Sequence, residues 1–170
     1  ELAQREGIYP ASIHDLYMAR GRGDATFGAG GFAVPAMNLR GMTYDTARAV
    51  FRAALKLKVG AMLFEIARSE IGYTDQPPAD YATAVLAAAI KEGYRGPVFI
   101  QGDHFQVNAK KYYGAESERA KEVKAVRDLT AEAIAAGFFN IDIDSSTLVD
   151  LKHATVFEQQ RANFEQCAEV

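Results

Sequence analysis

The chain has 170 residues, 49% of them hydrophobic and 24% charged, with a net charge of −3. These values suit one globular domain with a sizeable core and exclude a disordered chain. The lack of a basic tract disfavours a nucleic-acid partner, and no apolar run approaches the roughly 18 residues that span a membrane. Cys167 is the only cysteine, which excludes an intramolecular disulfide and cysteine-rich zinc sites and fits a reducing cytoplasm. The opening residues do not read as a signal peptide. The start at Glu1 rather than Met fits a processed chain or a piece of a longer one.

Residues 1–31 read as a helical lead-in. Ile13, Leu16 and Tyr17 recur at helical spacing in the segment 12–20, with Ser12 as its N-cap. The glycine cluster at 28–31 precedes a strand, whereas phosphate-cradling glycines follow one and open a helix. It therefore reads as a flexible lead. Residues 32–38 form the first predicted strand, with Pro35 marking a strand start or bulge and Asn38 at its end. Thr43 can cap the helix that follows. Residues 59–67 read as a strand buried on both faces, interrupted only by Glu65. A polar loop over 68–78 holds Arg68, Ser69 and Glu70. A second helix over 79–92 starts at Pro78 and stops at Gly93.

The third predicted strand, 96–106, carries Asp103-His104 where the apolar run ends. A loop over 107–114 contains Lys110 and Lys111. A charged helix over 117–136 leads through Gly137 into a fourth strand, 138–144, in which Asn140, Asp142 and Asp144 alternate with apolar residues. A last helix begins near Thr155. Four β-then-α units in succession imply a parallel sheet with right-handed crossovers.

An aspartate at a strand end is a common turn former, and His104 beside it could be a surface histidine. Asn38, Asp103-His104 and Asp144 all fall at predicted strand ends, with Glu65 near another. That pattern is better explained by a site, because parallel α/β folds gather chemistry at the carboxyl ends of their strands. Glu65, Asn140 and Asp142 inside strands are either hydrogen-bonded parts of a polar interior or functional groups. Lys110, Lys111 and Arg68 could receive a phosphate or belong to solvated loops. His14 and His153 lie away from strand ends and read as structural or surface groups. No nucleophile elbow is present.

Residues 32–38, 66–73, 97–104 and 143–146, in this order and spacing, resemble the class II (metal-dependent) fructose-bisphosphate and tagatose-bisphosphate aldolases. The resemblance implies the first four β/α units of a (β/α)₈ TIM barrel, spanning residues 32–170. It implies reversible cleavage of a ketose bisphosphate to dihydroxyacetone phosphate and an aldehyde phosphate, with Zn²⁺ as cofactor. Carried over, Asp103 is the catalytic acid/base, His104 a metal ligand, and Asp144 a carboxylate at an alternative metal position. Asn38 and Ser69 contact substrate. The segment 65–80 also resembles the non-catalytic partner subunits of tagatose-bisphosphate aldolase, so a stabilising subunit is the alternative. An unrelated phosphosugar barrel, in which Asp103-His104 only binds substrate, is a third.

A whole barrel needs roughly 250 residues, and a catalytic zinc about three protein ligands. The resemblance places two further histidines and the phosphate loops beyond residue 170. The 170 residues alone are thus expected to turn over little substrate. Their open strand edges are expected to drive homo-oligomerisation or association with the missing barrel half.

Overall fold

The structure, a computed structural model, describes residues 1–23 and 32–170. The glycine cluster at 28–31 lies outside the described residues. Among the described residues, five strands form one sheet: β1 (Ile8–Ala11), β2 (Ala36–Asn38), β3 (Leu63–Ala67), β4 (Gly96–Gln106) and β5 (Asn140–Asp144). Every pairing is parallel. The helices are α1 (Leu2–Arg5), α2 (His14–Gly21), α3 (Thr43–Leu57), α4 (Arg68–Thr74), α5 (Pro78–Glu92), α6 (Ala109–Tyr112), α7 (Glu116–Ala135) and α8 (Val156–Glu169). Among the described residues no helix is long and apolar enough to cross a membrane.

β4 is the centre of the sheet. One edge pairs with β3, which pairs in turn with β2. The other edge is shared end to end: β1 covers Gly96–Phe99 and β5 covers Gln101–Gln106. Asn140 splices the junction. Its Nδ2 donates to the carbonyls of Ala11 (3.2 Å) and Ile100 (3.0 Å), and its Oδ1 accepts from the Ile13 N–H at 2.8 Å. These bonds serve backbone groups that neither short strand reaches, so Asn140 is a structural residue.

The two faces of the sheet differ because strand residues alternate. One face carries Phe64, Ile66, Val98, Ile100 and Phe105 into the main core, under α3, α5 and α7. Phe51 of α3 meets Phe64 with ring centroids 4.9 Å apart. The alanine-rich side of α5 (Ala82, Ala88, Ala89) is fully buried and lets the helix approach closely. Tyr81 is buried as well, and its hydroxyl donates to the Glu65 carbonyl at 2.6 Å, pinning α5 to β3.

The opposite face is layered by register. Its lowest row, Ala36, Leu63, Phe99 and Ala11, is apolar, and Ile13 and Leu16 pack with Leu63, Phe99 and Ala11 of it. The next row is polar on all four strands: Asn38, Glu65, Gln101 and Asn140. Ala67 and Asp103 lie one step higher.

Several expectations need correction. The lead-in is not helical throughout, because Ile8–Ala11 joins the sheet as β1. The segment 68–78 is not a loop at its start: Arg68–Thr74 is helical, with the Glu70 carboxylate accepting from the Ala67 N–H at 2.9 Å. Thr43 does not cap α3. The N-cap is Met42 in a left-handed conformation, and the Thr43 hydroxyl donates to Gln76 instead. Ser12 sits one residue before the N-cap of α2, Ile13, although its Oγ does accept from the His14 N–H. Lys110 and Lys111 lie on the short helix α6, which Asn108 caps through the Lys111 N–H at 3.1 Å.

Candidate functional site

A cleft of about 670 Å³ opens at the carboxyl ends of β2, β3 and β4. Asn38 ends β2 and lines it, as do Ala67 at the end of β3 and Ser69 and Glu70 in the first turn of α4. Asp103, His104 and Gln106 enter from β4, and Arg68, Asn108, Lys111 and Glu122 form the side toward α6 and α7. Asn38, Ser69, Asp103 and His104 are therefore brought together.

Asp103-His104 does not terminate its strand. β4 continues to Gln106, and its register against β5 slips between Gly102 and Phe105. Gly102 pairs with Ile141 and Phe105 with Ile143, so Asp103 and His104 together oppose Asp142. This is a β-bulge, and His104 adopts a positive φ of 45° within it. Beyond the bulge, the buried Phe105 ring folds back over Gly102. A Cβ on Gly102 would meet ring atoms at 2.6–3.0 Å, so only glycine fits beneath that ring.

The bulge gathers three acids around His104. Its Nδ1 lies 3.5 Å from Asp142 Oδ2 and 3.3 Å from Asp144 Oδ2, and its Nε2 lies 3.7 Å from Asp103 Oδ1. The Asp103 carboxylate, aided by Asp142 and Asp144, holds the His104 imidazole above its ordinary pKa against a smaller opposing effect of burial. Ligand atoms of Asp103, His104 and Asp142 lie within 4.8 Å of one another. One imidazole and two carboxylates make a donor set suited to a divalent cation, and the ring is 63% exposed on its open side.

Asp144 was expected near a metal position and lies beside this cluster. Its oxygens are committed elsewhere: Oδ1 accepts from the Ser146 N–H (2.9 Å) and hydroxyl (2.6 Å), and Oδ2 from Gln106 Nε2 at 2.6 Å. Burial pushes its pKa up, but these donors outweigh that and leave it below the usual carboxylate range. Asp142 shares the cluster with Asp103 and His104, and its Oδ2 also accepts from the His104 N–H at 3.3 Å, whereas Asp144 lies just outside it with Oδ2 3.3 Å from His104 Nδ1.

A second network fixes Asp103. Asn38 Nδ2 donates to Asp103 Oδ2 at 2.8 Å and to Glu70 Oε2 at 3.1 Å. Arg40 Nε donates to the other Glu70 oxygen. Burial pushes the Glu70 pKa up, yet the Ala67 N–H, Asn38 and Arg40 together pull it below normal. Below this, Glu65 accepts from Gln101 Nε2 at 2.7 Å. Burial first, and then the charges of Asp103 and Asp142, raise its pKa.

The third network was not foreseen. Glu122, 1% exposed, accepts from Arg68 Nη1 and from the Asn108 N–H (2.9 Å) on Oε1, with Lys111 Nζ 3.3 Å from Oε2. A sequence signal did exist. Glu122 lies in line with Val126, Leu129 and Ala133 at helical spacing, a carboxylate on the stripe of α7 that faces the core. Arg40 and Glu70 gave no comparable signal, since charged residues near strand ends are ordinary. His14 and His153 do not line the cleft.

These features define a parallel α/β protein with a polar, partly buried cleft at its strand ends and a carboxylate–histidine cluster in it. No protein-family model matches the chain, and no curated protein matches it.

Proposed function

We propose that this chain is the first half of a class II aldolase-type (β/α)₈ barrel, and that the protein it serves cleaves and forms a ketose bisphosphate. The observation that carries the reading is the bulge in β4, which sets two aspartates and a histidine together toward the carboxyl ends of β4 and β5. On this reading His104 and Asp142 would hold a divalent metal, zinc by the family resemblance. The metal would supply Lewis acidity toward a ketose carbonyl.

The chain's own residues have separable tasks. Asp103 moves the proton of the substrate hydroxyl, through the oxygen that faces His104. Asn38 fixes the other Asp103 oxygen and so sets the direction of that transfer. Glu70 and Arg40 hold Asn38 in turn, and Asp144 orients the imidazole. Ser69 lies where a substrate hydroxyl or phosphate can reach it. The remaining ligands and the second half of the barrel would pair along the outer edges of β2 and β5.

Zinc titration of the metal-free chain tests the reading, with His104→Asn as the control. Asparagine tolerates the positive φ that His104 adopts, so the variant keeps the bulge. Zinc binding that weakens at least tenfold in the variant is expected, as one of the two ligands that this chain supplies is lost. Equal binding by both proteins would remove His104 from the metal site. A stabilising subunit would instead lack further histidines at the strand ends after Val170, and reading that downstream sequence separates the two functions.

A further inference from the structure

The cleft has a second chemical end. Arg68 and Lys111 approach one carboxylate, Glu122, from different elements, α4 and α6. One buried negative charge facing two cations leaves an excess positive charge on this side of the cleft. Arg68 Nη1 serves both Glu122 and the Gln106 carbonyl, at 2.6 Å to the latter. Its Nε and Nη2 meet no protein acceptor among the described residues. Lys111 Nζ is 59% side-chain exposed and makes one ion pair, leaving donors free. Both side chains line the same cleft as Asp103 and His104, whereas Lys110, the next residue along α6, does not.

We propose that Arg68 and Lys111 form a phosphate-binding subsite in this cleft, held in place by Glu122, for a phosphomonoester of the substrate. The inference rests on reading the cleft as a sugar-phosphate site. A guanidinium with its Nε–Nη2 edge free and a lysine ammonium beside it match the oxygens of a phosphate dianion. Glu122 is the positioning residue: it neutralises half of the cationic charge in the empty cleft and keeps the two heads together. A bisphosphate substrate carries two such groups. This subsite would take one, and the loops that the resemblance places after later strands would take the other.

Inorganic phosphate and glycerol 3-phosphate, titrated against the chain by ³¹P NMR, test the subsite. Lys111→Met removes one charge-assisted contact at an exposed position and should weaken binding about tenfold or more. Lys110→Met makes the same change of net charge outside the cleft and should stay within about twofold. Arg68→Lys keeps the charge but loses the fork, and should weaken binding as well. Absence of saturable binding, or equal effects of the two lysine variants, overturns the subsite. Zinc titration of the same proteins keeps the two readings apart. Phosphate binding intact with no zinc site would sink the aldolase reading and leave the subsite standing; the reverse result would sink the subsite alone.

Discussion

Arg68→Met isolates Glu122, the least exposed charged residue among the described residues. The substitution keeps an unbranched side chain and removes the guanidinium that donates to Glu122 Oε1. Glu122 is 1% exposed, so water cannot replace the lost donor directly. Removing one partner of a buried pair costs about 3–5 kcal/mol. Here the Asn108 N–H and Lys111 remain on the carboxylate, which argues for the lower side, about 2–4 kcal/mol. Urea unfolding at neutral pH measures the loss. The double variant Arg68→Met/Glu122→Gln removes the orphaned charge with its partner and should recover about 1–3 kcal/mol of it.

The pH dependence supplies an internal check. Burial pushes the Glu122 carboxyl up, but Arg68, the Asn108 N–H and Lys111 outweigh it and hold the folded pKa below the ordinary glutamate value of about 4.3. A depressed folded pKa contributes stability that is present above the unfolded pKa and is lost as pH falls through the folded one. Wild-type stability should therefore fall on acidification below the ordinary carboxylate range. The gap between wild type and Arg68→Met should narrow over the same interval, because a protonated Glu122 no longer needs the guanidinium. A loss under about 0.5 kcal/mol at neutral pH, the size of an ordinary surface substitution, would refute the reasoning. So would strict additivity in the double variant.

Other predictions concern the same face of the sheet. Gly102→Ala should destabilise by about 1–3 kcal/mol in urea unfolding, because the new methyl collides with the buried Phe105 ring, and it should weaken zinc binding by disturbing the bulge. Glu65→Gln should raise the midpoint of thermal unfolding at neutral pH. Burial, Asp103 and Asp142 raise the folded pKa of Glu65, so its contribution is full below the unfolded pKa and is lost as pH rises through the folded value. The gain from Glu65→Gln should accordingly vanish in acid; a pH-independent effect would contradict this. His104→Asn should leave unfolding stability equal or slightly higher while zinc affinity drops, since asparagine relieves the strain of a positive φ. A large loss of stability would mean that the ion cluster, not the backbone, dominates that position.

The sequence by itself determined the parallel α/β alternation and most helix positions. Apolar runs, glycine stops and the proline at the start of α5 are local signals, and each acts through backbone geometry within a few residues. It also marked Asn38, Asp103 and His104 as residues that converge, because strand ends of a parallel sheet share one side. Tertiary structure decided the rest. The Ile8–Ala11 strand is four residues long and finds its place only against β4, an edge that β5 leaves uncovered. The bulge is a mismatch between two strands, so neither strand's sequence reveals it. Yet it turns His104 toward Asp142 and Asp144 rather than Asp103 alone. Glu122 likewise gains its meaning from partners 54 and 14 residues away, Arg68 and Asn108. Charge on a helix is local, but which charges share a buried carboxylate depends on how helices pack over the sheet.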